Sequence, residues 1–183
     1  GSGFRHNEQS LRIADDLNLT AEVRDGILTH TGEQEPATLE GKIVRLVDRV
    51  AYINHDIDDA LRYGILAEDD LPADEIAVLG ATGSARIDRL VNDIVDSSAG
   101  MSSEGAGEIR QSAEVAEAML SLRAFMFERV YLGPQAAPEH ERAHEVVHAI
   151  FDHLAARGDD PDEIVDYIAG MTDRFALDYA ESL

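Results

Sequence analysis

Apolar side chains recur with a 3.6-residue period along almost the whole chain, and this constrains the fold more than any other feature. No alternating strand pattern of four or more residues stands out. The expected fold class is therefore all-α, a helical bundle of about 7–8 helices. The first runs over 6–17. The second follows Thr20, an N-cap residue, and ends at Gly32. A long third helix opens with Pro36 and Thr38 and spans 38–66, with Ile43, Val47, Val50, Ile57 and Leu61 as its apolar stripe. An acidic loop holding Pro72 leads to helices at 74–80 and 84–98. The stretch 99–107 is rich in Gly and Ser and reads as a flexible loop. Further helices are predicted at 112–131, 138–157 and 161–181, the last two separated by Gly158 and Pro161.

Composition narrows the partners. The chain has 183 residues with 37 acidic against 15 basic side chains, a formal charge of -22. With 44% hydrophobic residues it still has material for a core. Such a charge repels extended nucleic-acid backbones and anionic membranes, so neither is an expected partner. No run approaches a membrane span, and a cytoplasmic location fits. Cysteine is absent, which excludes disulfides, thiolate metal sites and cysteine nucleophiles. Lys42 is the single lysine, so nearly all positive charge sits on arginine, the better bidentate phosphate ligand.

Four constellations carry candidate chemistry. On the long third helix Asp48, Tyr52 and Asp56 are spaced i, i+4, i+8 and share one face, flanked by Arg45, Arg49 and His55. An Asp there can bind a metal and an Arg a phosphate. The same pattern also suits a solvated, salt-bridged face, but a tyrosine at its centre favours a polar cavity. At the start of the first helix His6, Glu8 and Gln9 offer an acid/base group near a helix N-terminus, where capping is the plainer use. In 122–131 Arg123, Phe127 and Tyr131 repeat the i, i+4, i+8 spacing, so an arginine for phosphate is followed by two stacking rings. Ordinary core packing would use the same aromatics. Finally, residues 144–148 spell HEVVH, two histidines one turn apart with a glutamate, as in zinc metalloproteases. No preceding edge strand supports that use.

The segments GFRHNEQSLR (3–12), LTAEVRDGILTHTG (19–32) and PATLEGKIVRLVDRVAYINHDIDDALRYGIL (36–66) resemble the HD-domain deoxynucleoside triphosphate triphosphohydrolases, the dGTPase-like proteins. LRAFMFERVYLGP (122–134) is similar to a later part of the same family. The resemblance implies an HD-domain-like helical bundle that hydrolyses a dNTP to deoxynucleoside and triphosphate, with a divalent metal (Mn, Mg or Fe). It implies that Asp48 is a metal ligand and His6 an active-site histidine near the phosphates. Arg49 and Arg123 would neutralise the triphosphate, Tyr52 and Asp56 would meet the deoxyribose, and Phe127 and Tyr131 the base and sugar. The family's early His and its metal-binding His-Asp doublet would lie upstream of residue 1. The chain is thus expected to be a C-terminal portion, inactive alone, with 1–66 a partial catalytic core and 67–183 a substrate-binding and oligomerisation region. The same resemblance implies two partners: a dNTP and further copies of the chain. Two other functions compete, a non-catalytic helical interaction module and, less well supported, the HExxH metalloprotease.

Overall fold

A computed structural model of the chain describes residues 3–98 and 107–183. Among the described residues there are nine α-helices and no strand, so the all-α expectation holds. Contacts divide the chain into two compact units, with the boundary between Val130 and Tyr131. Most of the stretch expected to be a flexible loop, 99–106, lies outside the described residues.

The first unit holds α1 (His6–Ile13), α2 (Ala21–Thr29), α3 (Leu39–Arg62), α4 (Ala73–Leu79), α5 (Gly83–Ser98) and α6 (Ala113–Met126). Three of them start where a hydroxyl accepts an otherwise orphaned backbone N–H. Thr20 caps α2 through Val23, Thr38 caps α3 through Gly41, and Ser112 caps α6 through Val115. Each such cap contributes about 1 kcal/mol. The helix α3 packs against α2, α5 and α6, and α4 packs against α5 and α6. Its buried row is Val50, Ile53, Ile57 and Ala60. Opposite faces of the same core come from Leu79, Leu90, Ile94, Val115, Leu122 and Met126. Fully burying each large aliphatic side chain contributes about 1.5–3 kcal/mol.

Two sequence expectations shift here. The apolar stripe of α3 lies closer to its C-terminal half than expected, because Ile43 stays 40% exposed while Ile53 and Asn54 are buried. The helix also ends at Arg62, and Gly64 follows with a left-handed φ of 71°. Between α4 and α5, Gly80 takes φ 120°, and a Cβ there would lie 2.9 Å from that of Ala85, so only glycine fits the turn.

The second unit holds α7 (Ala137–Ala156), α8 (Pro161–Ala169) and α9 (Asp173–Glu181). Its core is Ile150, Leu154 and Ile164, with Phe151, Ile168 and Tyr179 packed around it. The helix expected over 161–181 is two helices. Gly170 closes α8, and the hydroxyl of Thr172 accepts the N–H of Phe175 to start α9. None of the helices among the described residues is long and apolar enough to cross a membrane.

Candidate functional site

The α3 stripe and the α6 stripe meet. Tyr52 stands beside the buried row of α3 and is half-buried, and Arg123 sits in the last turn of α6. The Arg123 Nε donates a 2.7 Å hydrogen bond to the Tyr52 hydroxyl across 71 residues of sequence. The Arg123 guanidinium carbon lies 4.5 Å from the centre of the Phe127 ring. Phe127 opens a π-turn, Phe127–Tyr131, that breaks the α-helical ladder after Met126. Such bulges re-aim side chains and recur at functional sites. Tyr131 closes this turn and begins the second unit.

The contacts of Arg123 are both with neutral groups. A phenol oxygen and an aromatic ring orient a guanidinium without neutralising it. Among the described residues no carboxylate pairs with Arg123, so its charge stays available to an anion. Arg49 is also half-buried and without an ion pair among the described residues. It lines a cleft of about 270 Å³ with Lys42, Arg45, Glu35 and Glu108. Arg45, one turn earlier, is a different case. Its guanidinium donates to three carbonyls, Thr29 at 2.9 Å, Gly32 at 2.6 Å and Gln34 at 2.6 Å, and so holds the segment after α2 in place.

Asp48 is exposed and Asp56 half-buried on the same α3 face as Tyr52. His6 is exposed in the first turn of α1, its Nε2 3.1 Å from the Nε2 of His30. It lines a second cleft, of about 590 Å³, with Arg5, Asn7, Glu8 and the segment Thr31–Gln34. The clefts of His6 and Arg49 are lined by separate residues, so the described residues do not gather all of the predicted site into one pocket.

The metal expectation can be tested against the donor set. Among the described residues no three His, Asp or Glu side chains are gathered closely enough to hold an ion. Asp48 alone is one oxygen donor where divalent ions take four to eight ligands. These residues do not by themselves fit a bound metal. HEVVH fares no better as a protease site. His144, Glu145 and His148 are exposed on α7, with the two imidazole centres 4.1 Å apart, and no third ligand joins them among the described residues.

Sequence reasoning missed two features. One is His30, which carries no pattern signal beyond its position at the end of α2. The other is a buried polar knot between α3 and α5. Arg86 is only 1% exposed. Its Nε donates to Asn54 Oδ1 at 2.8 Å, and its Nη2 lies 3.3 Å from Asp58 Oδ1. Burial pulls the Arg86 guanidinium below the usual arginine range, and the Asp58 carboxylate opposes that shift. An arginine on a helix reads as solvated until its partners on another helix are known.

Comparison with known proteins bears on these stripes. Residues 109–163 match the phosphohydrolase-associated domain, which includes Arg123, Phe127 and Tyr131. The chain is 44% identical to a deoxyguanosinetriphosphate triphosphohydrolase-like protein of Caldanaerobacter subterraneus subsp. tengcongensis, over 96% of this chain and 56% of that protein. It is 40% identical to one of Clostridium perfringens strain 13, over 94% of this chain and 58% of that protein. A more distant one from Paracoccus denitrificans is 27% identical over 99% of this chain and 68% of that protein. The chain belongs to the deoxyguanosinetriphosphate triphosphohydrolase-like family and spans a little over half the length of the first two of these relatives.

Proposed function

We propose that this chain is the C-terminal, substrate-binding portion of a dNTP triphosphohydrolase, which converts a dNTP and water to a deoxynucleoside and triphosphate. The observation that carries the reading is the contact between Tyr52 and Arg123. It joins the two stripes that the family resemblance selects, and it orients a guanidinium while leaving its charge uncompensated.

In this reading Arg123 and Arg49 meet the negative charge of the triphosphate. The fixed position of Arg123 matters because the surrounding chain is strongly acidic, and only a local cluster of arginines can reverse the potential there. Phe127 and Tyr131 offer ring faces to the base and sugar. Tyr52 and Asp56 border the deoxyribose, Asp56 as an acceptor for its 3′-hydroxyl. His6 handles a proton close to the phosphates. Asp48 serves as one ligand of a divalent ion (Mn, Mg or Fe), and the other ligands come from parts of the full-length protein outside this chain. On the same reading 1–66 contributes to the catalytic core and 67–183 to substrate binding and assembly, in a cytoplasmic homo-oligomer. Exposed apolar side chains on the first unit, among them Ile13 at 64% and Val23 at 49%, support burial against further protein.

The test uses the full-length protein with its metal and each of the four dNTPs, separating products by ion chromatography. Release of intact triphosphate is the expected result, and Asp48→Ala should abolish turnover and deplete bound metal. Wild-type turnover and metal content in Asp48→Ala would refute the assignment, as would release of diphosphate or single phosphate.

A further inference from the structure

We propose that His30 is a positioning residue for His6, fixing which of the two His6 nitrogens exchanges a proton. The inference rests on the reading of His6 as a proton-handling group. It begins at the Ile27 carbonyl, 2.7 Å from His30 Nδ1. A carbonyl oxygen can only accept, so His30 Nδ1 carries the hydrogen. Neutral His30 then presents a bare Nε2 to His6 Nε2, 3.1 Å away. Two bare nitrogens gain nothing at that distance, so His6 Nε2 carries a hydrogen and donates it to His30. That leaves His6 Nδ1 with the lone pair. When His6 Nδ1 takes up a proton, Nε2–H remains the donor, and its bond to His30 becomes charge-assisted and stronger. The proton enters and leaves at Nδ1, and His30 keeps its own throughout.

The surroundings fit a support for an exposed group. His30 is half-buried at the end of α2, next to Thr29, which is fully buried and donates its hydroxyl to the Asp25 carbonyl at 2.7 Å. Asn7 Nδ2, adjacent to His6, donates to the Leu28 carbonyl at 2.6 Å. The start of α1 is therefore held to the end of α2 at two successive residues. A base oriented by a hydrogen bond from its second nitrogen is the general arrangement of activated histidines.

The experiment compares wild type, His30→Ala and His30→Gln in the full-length, metal-loaded protein, using dGTP hydrolysis and imidazole ¹H–¹⁵N spectra. His30→Ala should lower kcat by about 10–100-fold, the usual effect of losing an orienting partner, with KM nearly unchanged. His30→Gln should recover much of the rate, because its amide oxygen can accept from His6. The spectra should show the Nε2–H form of His6 in wild type and a mixture of tautomers in His30→Ala. Unchanged kcat in His30→Ala, or equal losses in both variants with raised KM, overturns the proposal. An inactive wild type would sink the hydrolase reading instead. The spectra would then decide the positioning claim, which fails if the His6 tautomer is the same in His30→Ala.

Discussion

Two arginines reach α3 from different helices, and they are held in opposite ways. Arg86 from α5 is almost wholly enclosed, with an amide oxygen and a carboxylate as partners. Arg123 from α6 is half-buried, with a phenol and a ring as partners. A buried guanidinium beside a carboxylate has its charge answered within the protein and serves the fold. One oriented by neutral groups keeps its charge for something else. Arg45 and Arg49 repeat the contrast within one helix, the first consumed by three carbonyls and the second unpaired among the described residues.

That contrast breaks most readily at Arg86. Arg86→Ala empties a buried site and strands the buried Asn54 amide oxygen, so unfolding free energy should fall by about 3 kcal/mol or more, measured by denaturant titration. A loss below about 1 kcal/mol would mean that Arg86 does not hold α5 to α3. Arg123→Ala should do the reverse. In the full-length protein kcat/KM for dGTP should fall by about 100-fold, as for other donors to developing phosphate charge, with little loss of stability. Tyr52→Phe removes the acceptor but not the ring. It should cost about 1 kcal/mol of stability, the net worth of one hydrogen bond, and loosen Arg123 without removing it. Rates that stay at wild type would separate the Tyr52 contact from function.

The smallest effect concerns pH. The Glu22 carboxyl is held below its usual range by its own backbone N–H and by the Thr20 hydroxyl. A lowered folded-state value means that the stabilisation is present above the ordinary carboxylate range and lost as pH falls through the folded value. Helical circular dichroism on acidification should therefore show a small loss from α2, and Glu22→Gln should remove that component. An identical acid limb in the variant would contradict it.

Helix positions were legible because caps and breakers act locally. Thr20, Thr38, Gly158 and Pro161 did at close range what their chemistry dictates. The split at Gly170 is hidden in the sequence because Ile168, Met171 and Phe175 keep a helical spacing across it, and the decisive cap is the Thr172 hydroxyl two residues on. The α3 register differs from its local pattern because Asn54 is buried by its bond to Arg86, a partner on another helix that no local pattern contains. For the site, each stripe could be read from its four-residue spacing. Their union at Tyr52 and Arg123 could not, since it depends on how α6 packs on α3. The pairing of His30 with His6 is illegible for the same reason, since it depends on how α1 packs on α2.

The central claim is that Arg123, held by Tyr52, serves the triphosphate. The most direct measurement is equilibrium binding of a non-hydrolysable dGTP analogue and of deoxyguanosine to the full-length protein, in wild type and Arg123→Ala. Wild type should strongly prefer the triphosphate, and that preference should narrow sharply in Arg123→Ala, with deoxyguanosine affinity nearly unchanged. An unaltered preference in a folded Arg123→Ala protein would contradict it.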